Sequence, residues 1–270
     1  MSNVSDAPER TIRRILVALD ASPHSEAALE TAVQLATAFG AELRGLFVED
    51  ADLLRTAALP IAREVHSFAL PPQAMSERRV GRQLEQQAAA AREAFERAAR
   101  RAEVAHSFSV ARGRVSDKLL EAAAEVDLVA LGKASAARCS RRKLGRTART
   151  VLRRAPVPVI VVREAPGAHA PVIAYYDGSD AADRALELAA ALARREPTCS
   201  LTVLLPTGDG AERLRNAVVS RYGGTIALLH VRPLSRIEAS HLATVVHAER
   251  RGLVVLPAAS LPLRDANVQR

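Results

Sequence analysis

A chain of 270 residues, 49% of them apolar, is long enough to bury two cores of roughly 130 residues each, an ordinary domain size. Cys139 and Cys199 lie far apart and off metal-ligand spacing, which excludes a disulfide framework or a zinc site; no apolar run nears the ~18 residues of a membrane span, and residues 1–13 hold no hydrophobic signal region, so a cytoplasmic protein without membrane attachment is expected. The net charge of +8 favours anionic partners, but aromatics make up 3% of the chain, too few to stack on bases, so nucleic acid is not expected as a partner.

In the first half, apolar runs predict strands over 14–19, 43–49, 106–112, 127–132 and 157–162, with helices over 23–39, 77–103, 115–125 and 145–154. The first strand ends at Asp20, and Ser22 then stands at a helix N-cap with Pro23 at the first helical position, where a missing N–H costs nothing. Residues 51–76, with Pro60, Pro71 and Pro72, form a connection too long for a routine loop and are expected to be a lid, a flap or disordered. His66 within it reads as plain surface. In the 77–103 helix, Val80, Leu84, Ala88, Ala91, Phe95 and Ala98 recur at steps of three and four and make one apolar stripe.

Residues 164–170, Glu-Ala-Pro-Gly-Ala-His-Ala, read as a linker between a first domain of residues 1–163 and a second of residues 171–270. The second half then repeats the opening of the first at an offset of 157 positions: Asp177 answers Asp20, Ser179 answers Ser22, and Ala185, Leu186 and Leu192 answer Ala28, Leu29 and Leu35. A repeat of that period means tandem domains, because solenoid repeats are far shorter. Strands are predicted over 171–176, 200–205, 225–231 and 253–257, and helices over 180–194, 210–221 and 235–250. Thirteen residues after Pro257 leave no room for a fifth strand, so the second domain is truncated. The fold class is α/β, two open parallel-sheet domains with helices on both faces.

The stretch Arg14-Ile-Leu-Val-Ala-Leu-Asp20 with Ser22, Ser25, Ala27 and Ala28, and the segment Asp127–Gly132, Gly145 and Val151–Val162, resemble the universal stress protein family in a tandem form with a degenerate second domain. The resemblance implies a flavodoxin-like, nucleotide alpha-hydrolase-like fold of strand order 3-2-1-4-5 and, in the nucleotide-binding branch, a loop after the fourth strand reading Gly, two residues, Gly, nine residues, Gly, then Ser or Thr. Gly132 and Gly145 match its first and third glycines; Ser135 replaces the second, and Arg146 replaces the hydroxyl residue, with Thr147 one position along. By the resemblance Asp20 lies near a ribose and Val48 near an adenine, and the candidate nucleotide or anion site comprises Asp20, Val48, Leu131, Gly132, Lys133, Ser135, Gly145, Arg146 and Thr147. Ser135 adds a Cβ where backbone should approach phosphate. Arg146, among Arg138, Arg141, Arg142, Lys143 and Arg149, could instead bind phosphate in bidentate fashion, or the run is a solvated loop. For Asp20 the alternative is a carboxylate serving the next helix N-terminus, and for Asp177 only that role is expected.

No G-x-S-x-G, HExxH or Walker sequence is present, no Ser, His and Asp set is brought together by spacing, and His24 on the first helical turn reads as exposed. The expected function is a stress-response regulatory and binding protein without catalysis, needing no cofactor, with nucleotide affinity weak or lost. The alternatives are an ATP-binding member using Arg146 on phosphate, and a protein that sequesters a small apolar or acidic molecule in its second half. Protein partners or an anionic small molecule are expected, and so is a homodimer through the strand at 157–162, whose apolar edge would otherwise stand open.

Overall fold

The apolar runs become strands in a sheet with helices on both faces. The computed structural model describes residues 12–20, 22–59, 63–64, 73–74, 76–132, 145–162, 171–195, 200–234 and 253–257. In chain order these form β1 (Arg14–Leu19), α1 (Pro23–Phe39), β2 (Glu42–Asp50), α2 (Ala51–Ala57), β3 (Arg63–Glu64), β4 (Gln73–Ala74), α3 (Glu77–Arg101), β5 (His106–Gly113), α4 (Val115–Ala123), β6 (Leu128–Gly132), α5 (Arg146–Arg154) and β7 (Val159–Val162). The second half supplies β8 (Val172–Tyr175), α6 (Asp180–Arg195), β9 (Ser200–Pro206), α7 (Ala211–Tyr222), β10 (Leu228–Leu234) and β11 (Leu253–Leu256). The α/β class read from the sequence is the class observed.

Strands β1, β2, β5, β6 and β7 lie in the order β5-β2-β1-β6-β7, the flavodoxin-like 3-2-1-4-5 arrangement, with every pair parallel. The second-half strands lie as β10-β9-β8-β11, the same order without a fifth strand among the described residues. Helices α1, α3, α6 and α7 pack on one face, where Ala28, Leu35, Phe95, Leu186 and Val218 join one apolar cluster; α4 and α5 pack on the other through Leu119, Val151 and Leu152.

The two sets of strands form one nine-stranded sheet. This corrects the expected homodimer edge: β7 is covered from within its own chain by β11, antiparallel, with Val254 opposite Val161, Val255 opposite Ile160 and Leu256 opposite Val159. The other side of β11 pairs in parallel with β8. Covering β7 did not need an equivalent fifth strand. With no fifth second-half strand among the described residues, the outer edge of β11 takes the fifth-strand place beside β7, where Val159, Ile160, Val161 and Val162 are all fully buried.

Three smaller readings also change. Residues 51–57 are a helix rather than part of a lid, because the Asp50 carboxylate accepts the Asp52 N–H at 2.9 Å and caps it. Strand β10 begins three residues later than its predicted start. Ala99, not Ala98, completes the fully buried stripe of α3. The linker at 164–170, the predicted helix over 235–250, residues 258–270 and His66 lie outside the described residues.

Side-chain volume sets one strand position. In β2, a Cβ on Gly45 would stand 2.7 Å from Phe108 and 2.8 Å from Phe95, so the glycine makes room for an aromatic pair whose ring centroids are 5.4 Å apart. At the opposite end of the sheet from the candidate site, the Asp127 carboxylate accepts the Arg13 and Arg14 N–H groups at 2.9 and 3.0 Å. Nearby, Arg44 grips Glu42 with two hydrogen bonds of 3.2 Å.

Candidate functional site

The carboxyl ends of β1, β2 and β6 bring four of the nine candidate residues to one level. β1 pairs with β2 from Arg14↔Glu42 to Leu19↔Phe47, so the next step of that register sets Asp20 beside Val48. β1 pairs with β6 from Ile15↔Leu128 to Val17↔Ala130, and the same offset sets Leu131 and Gly132 beside the end of β1. After β1 the chain leaves to α1 on one face; α5, following β6, lies on the other. That divergence is the topological switch point at which open α/β sheets leave a crevice.

The polar groups here are already engaged by the backbone. Asp20 Oδ1 accepts the Ser22 N–H at 3.1 Å, an Asx turn, and Ser25 Oγ accepts the N–H groups of Asp20 and Ser22 at 3.3 and 3.2 Å. Ser22 Oγ accepts the Ser25 N–H at 3.2 Å, which closes a capping box with serine where Glu or Gln usually stands. Ser22 and Ser25 are both buried, so this network defines the entry angle of α1. The second half repeats it: Asp177 Oδ1 accepts the Ser179 N–H at 3.0 Å, and Ser179 Oγ accepts the Ala182 N–H at 3.2 Å.

Gly132 has a packing reason to be glycine. A Cβ there would stand 2.6 Å from the carbonyl oxygen of His24, 2.7 Å from its carbonyl carbon and 3.0 Å from its Cβ. The end of β6 therefore lies directly against the first turn of α1, and His24, expected to be exposed, is half-buried in that contact. Val48 and Leu131 are buried in the apolar cluster of the α4–α5 face, which also takes Ala148 from the first turn of α5. Gly145 is the N-cap of α5 and makes no side-chain cap bond; Arg146 follows, exposed, with Thr147 half-buried beside it. Lys133 and Ser135, with Arg138, Arg141, Arg142 and Lys143, lie outside the described residues.

The corresponding strand end of the second half carries two tyrosines. Tyr175 and Tyr176 stand at the end of β8, both buried, and burial followed by the Asp177 charge pushes the Tyr175 hydroxyl above the usual phenol range. Gly178, at φ +81°, turns the chain under Leu214, whose methyl would lie 2.8 Å from an added Cβ.

A model of the universal stress protein family matches residues 11–163, more than half of the chain. The chain belongs to the universal stress protein family. Among solved structures, a universal stress protein from Archaeoglobus fulgidus DSM 4304 matches with a TM-score of 0.61 and 16% identity, over 92% of this chain and 98% of its own. A functionally unknown protein from Pseudomonas aeruginosa PAO1 matches at a TM-score of 0.54 and 16% identity, over 93% and 94%. The universal stress protein UspA from Lactobacillus plantarum, 25% identical, covers 56% of this chain with 98% of its own, at a TM-score of 0.43. No curated protein matches. The family is one of stress-response proteins, and the first two likenesses are of fold across both halves.

Among the described residues there is no group of His, Cys, Asp and Glu that could hold a metal, and no helix long and apolar enough to cross a membrane. One feature was not read from the sequence: Arg55, Arg112 and Arg114 meet around a depression between α2 and the end of β5. The sequence signal for it is Asp50, an Asp at a strand end that opens the short helix 51–57 inside a Pro-rich connection.

Proposed function

We propose that this universal stress protein is a regulatory binding module without catalysis, in which the β1–β6 crevice has little or no adenine-nucleotide affinity. The observation that carries this reading is the duplicated Asx turn. Asp20 and Asp177 each accept the N–H two residues on, at 3.1 and 3.0 Å, and the second stands in a half with no glycine loop. The motif therefore has a complete structural use without a nucleotide. The close contact of Gly132 with His24 supports this reading, giving each of these family positions a structural use, a hydrogen bond for Asp20 and packing for Gly132. The sequence departures at Ser135 and Arg146 support the same reading.

Paired substitutions test it. Asp20→Ala and Asp177→Ala should each cost about 1 kcal/mol of stability, the usual worth of a helix-entry cap, and neither should alter the calorimetric titration with ATP. Restoring Ser135→Gly together with Arg146→Ser should raise ATP affinity by about 1.5–3 kcal/mol, one hydrogen bond to a charged group. Submicromolar ATP binding by the native protein, abolished by Asp20→Ala but not by Asp177→Ala, would overturn the proposal.

A second reading, ATP held at the start of α5 with Arg146 on phosphate, is favoured by the uncapped N-terminus behind Gly145 and the exposure of Arg146. It predicts that Arg146→Ala removes ATP binding and that Arg146→Ser does not restore it.

A further inference from the structure

Across β2 from the β1–β6 crevice, helix α2 and the end of β5 flank a second, open concavity of about 320 Å³. That volume is at the small end of the roughly 300–1,000 Å³ of ligand sites, so it suits a compact molecule. Its floor is apolar: Ala51, Leu54 and Ala58 line it, and Leu54 is buried. Its rim is cationic, with Arg55 contributed by α2 and Arg112 and Arg114 by the end of β5 and the residue beyond it. Arg112 and Arg114 flank Gly113 at the end of β5, and both line the rim.

The acids nearby engage this rim unevenly. Asp52 is shared between two guanidiniums, Arg55 at 2.5 Å and Arg114 at 3.4 Å, and Glu77 lies on the wall. Arg112 has no ion-pair partner among the described residues. Three guanidiniums and three carboxylates, Asp52, Glu77 and Glu49, which stands opposite Arg112 in the β2–β5 register, surround an apolar floor. A free guanidinium offers a fork of N–H donors matched to a phosphate or carboxylate, and the floor offers contact to a short hydrocarbon body.

The geometry points to a binding site for a small organic anion, its phosphate or carboxylate head on Arg112 and Arg114 and its apolar body over Ala51, Leu54 and Ala58. This site lies across β2 from the β1–β6 crevice and does not depend on whether nucleotide binds there.

Amide chemical-shift titration of the full chain tests the assignment with four probes. Phenyl phosphate and benzoate carry both features, inorganic phosphate only the charge, and benzyl alcohol only the ring. Phenyl phosphate should shift amides of α2 and of residues 111–115 and bind at least ten-fold more tightly than inorganic phosphate or benzyl alcohol; benzoate reports whether a carboxylate head serves as well. Arg112→Ala should weaken phenyl phosphate ten-fold or more, Arg112→Lys less, and Ala58→Leu should block the ring without unfolding the chain, since Ala58 is exposed at the end of α2. The Ser135→Gly, Arg146→Ser variant should bind it unchanged. Equal affinity for phenyl phosphate and inorganic phosphate, shifts centred on α5, or an unaltered titration in folded Arg112→Ala would each overturn the site.

Discussion

Replacing Gly132 by alanine separates packing from ligand binding as the reason for a family glycine. The added Cβ would meet the carbonyl oxygen of His24 at 2.6 Å and its carbonyl carbon at 2.7 Å, both backbone atoms in the first turn of α1. Neither can rotate away as a side chain would. Either α1 lifts from β6, loosening the Ser22–Ser25 cap, or β6 shifts within the sheet. Overpacking of this kind costs about 1–3 kcal/mol, and in a chain of this size each kcal/mol lowers Tm by about 2–4 °C. Gly81 is the control. It lies inside α3 with nothing within 4 Å of an added Cβ, so Gly81→Ala should stabilise the protein by about 0.5–1 kcal/mol through helix propensity alone. Urea unfolding followed by far-UV circular dichroism, with unchanged m, measures both. The two alanines should move the midpoint in opposite directions. A Gly132→Ala midpoint within about 0.5 kcal/mol of the parent, the usual range of a neutral surface change, would refute the packing account and return Gly132 to the ligand loop.

The β7–β11 join predicts that Val255→Pro, which removes a ladder donor in the strand between β7 and β8, exposes the Val159–Val162 edge and produces concentration-dependent self-association absent from the parent, read by light scattering after size exclusion; unchanged scattering would count against the join. Because the sheet is continuous, urea transitions read by tyrosine fluorescence and by circular dichroism should coincide: Tyr175, Tyr176 and Tyr222 are the chain's three tyrosines, all in the second half, whereas dichroism reports both halves. The Arg44 guanidinium, hydrogen-bonded to Glu42, holds that carboxyl below its ordinary value of 4.5. Its contribution is therefore full at neutral pH and is lost as pH falls through the lowered folded value. With both side chains about a third exposed, the pair is worth about 0.2–1 kcal/mol. Glu42→Gln should narrow the difference in urea midpoint between pH 7 and pH 3 by that amount.

Much of this protein is local in origin. The apolar runs from Ile15 to Leu19 and from Leu128 to Leu131 are strands because both faces of a parallel strand are buried, and Ser22 with Pro23 starts α1 through hydrogen bonds reaching no further than Ser25. The strand order followed from the alternation of elements and the family resemblance, and it put Asp20, Val48, Leu131 and Gly132 at one end of the sheet before any contact was seen. What those residues do there was decided by distance across the fold. The close approach of His24 to Gly132 and the repeat of the Asp20 hydrogen bond at Asp177 are visible only in the folded chain, and they are what support the packing account proposed for these positions. The join of β7 to β11, and the meeting of Arg55 with Arg112 and Arg114, pair residues from about 60 to almost 100 positions apart. No local propensity encodes such pairs, because an open strand edge or an unpaired guanidinium acquires its neighbour from the packing of the whole chain.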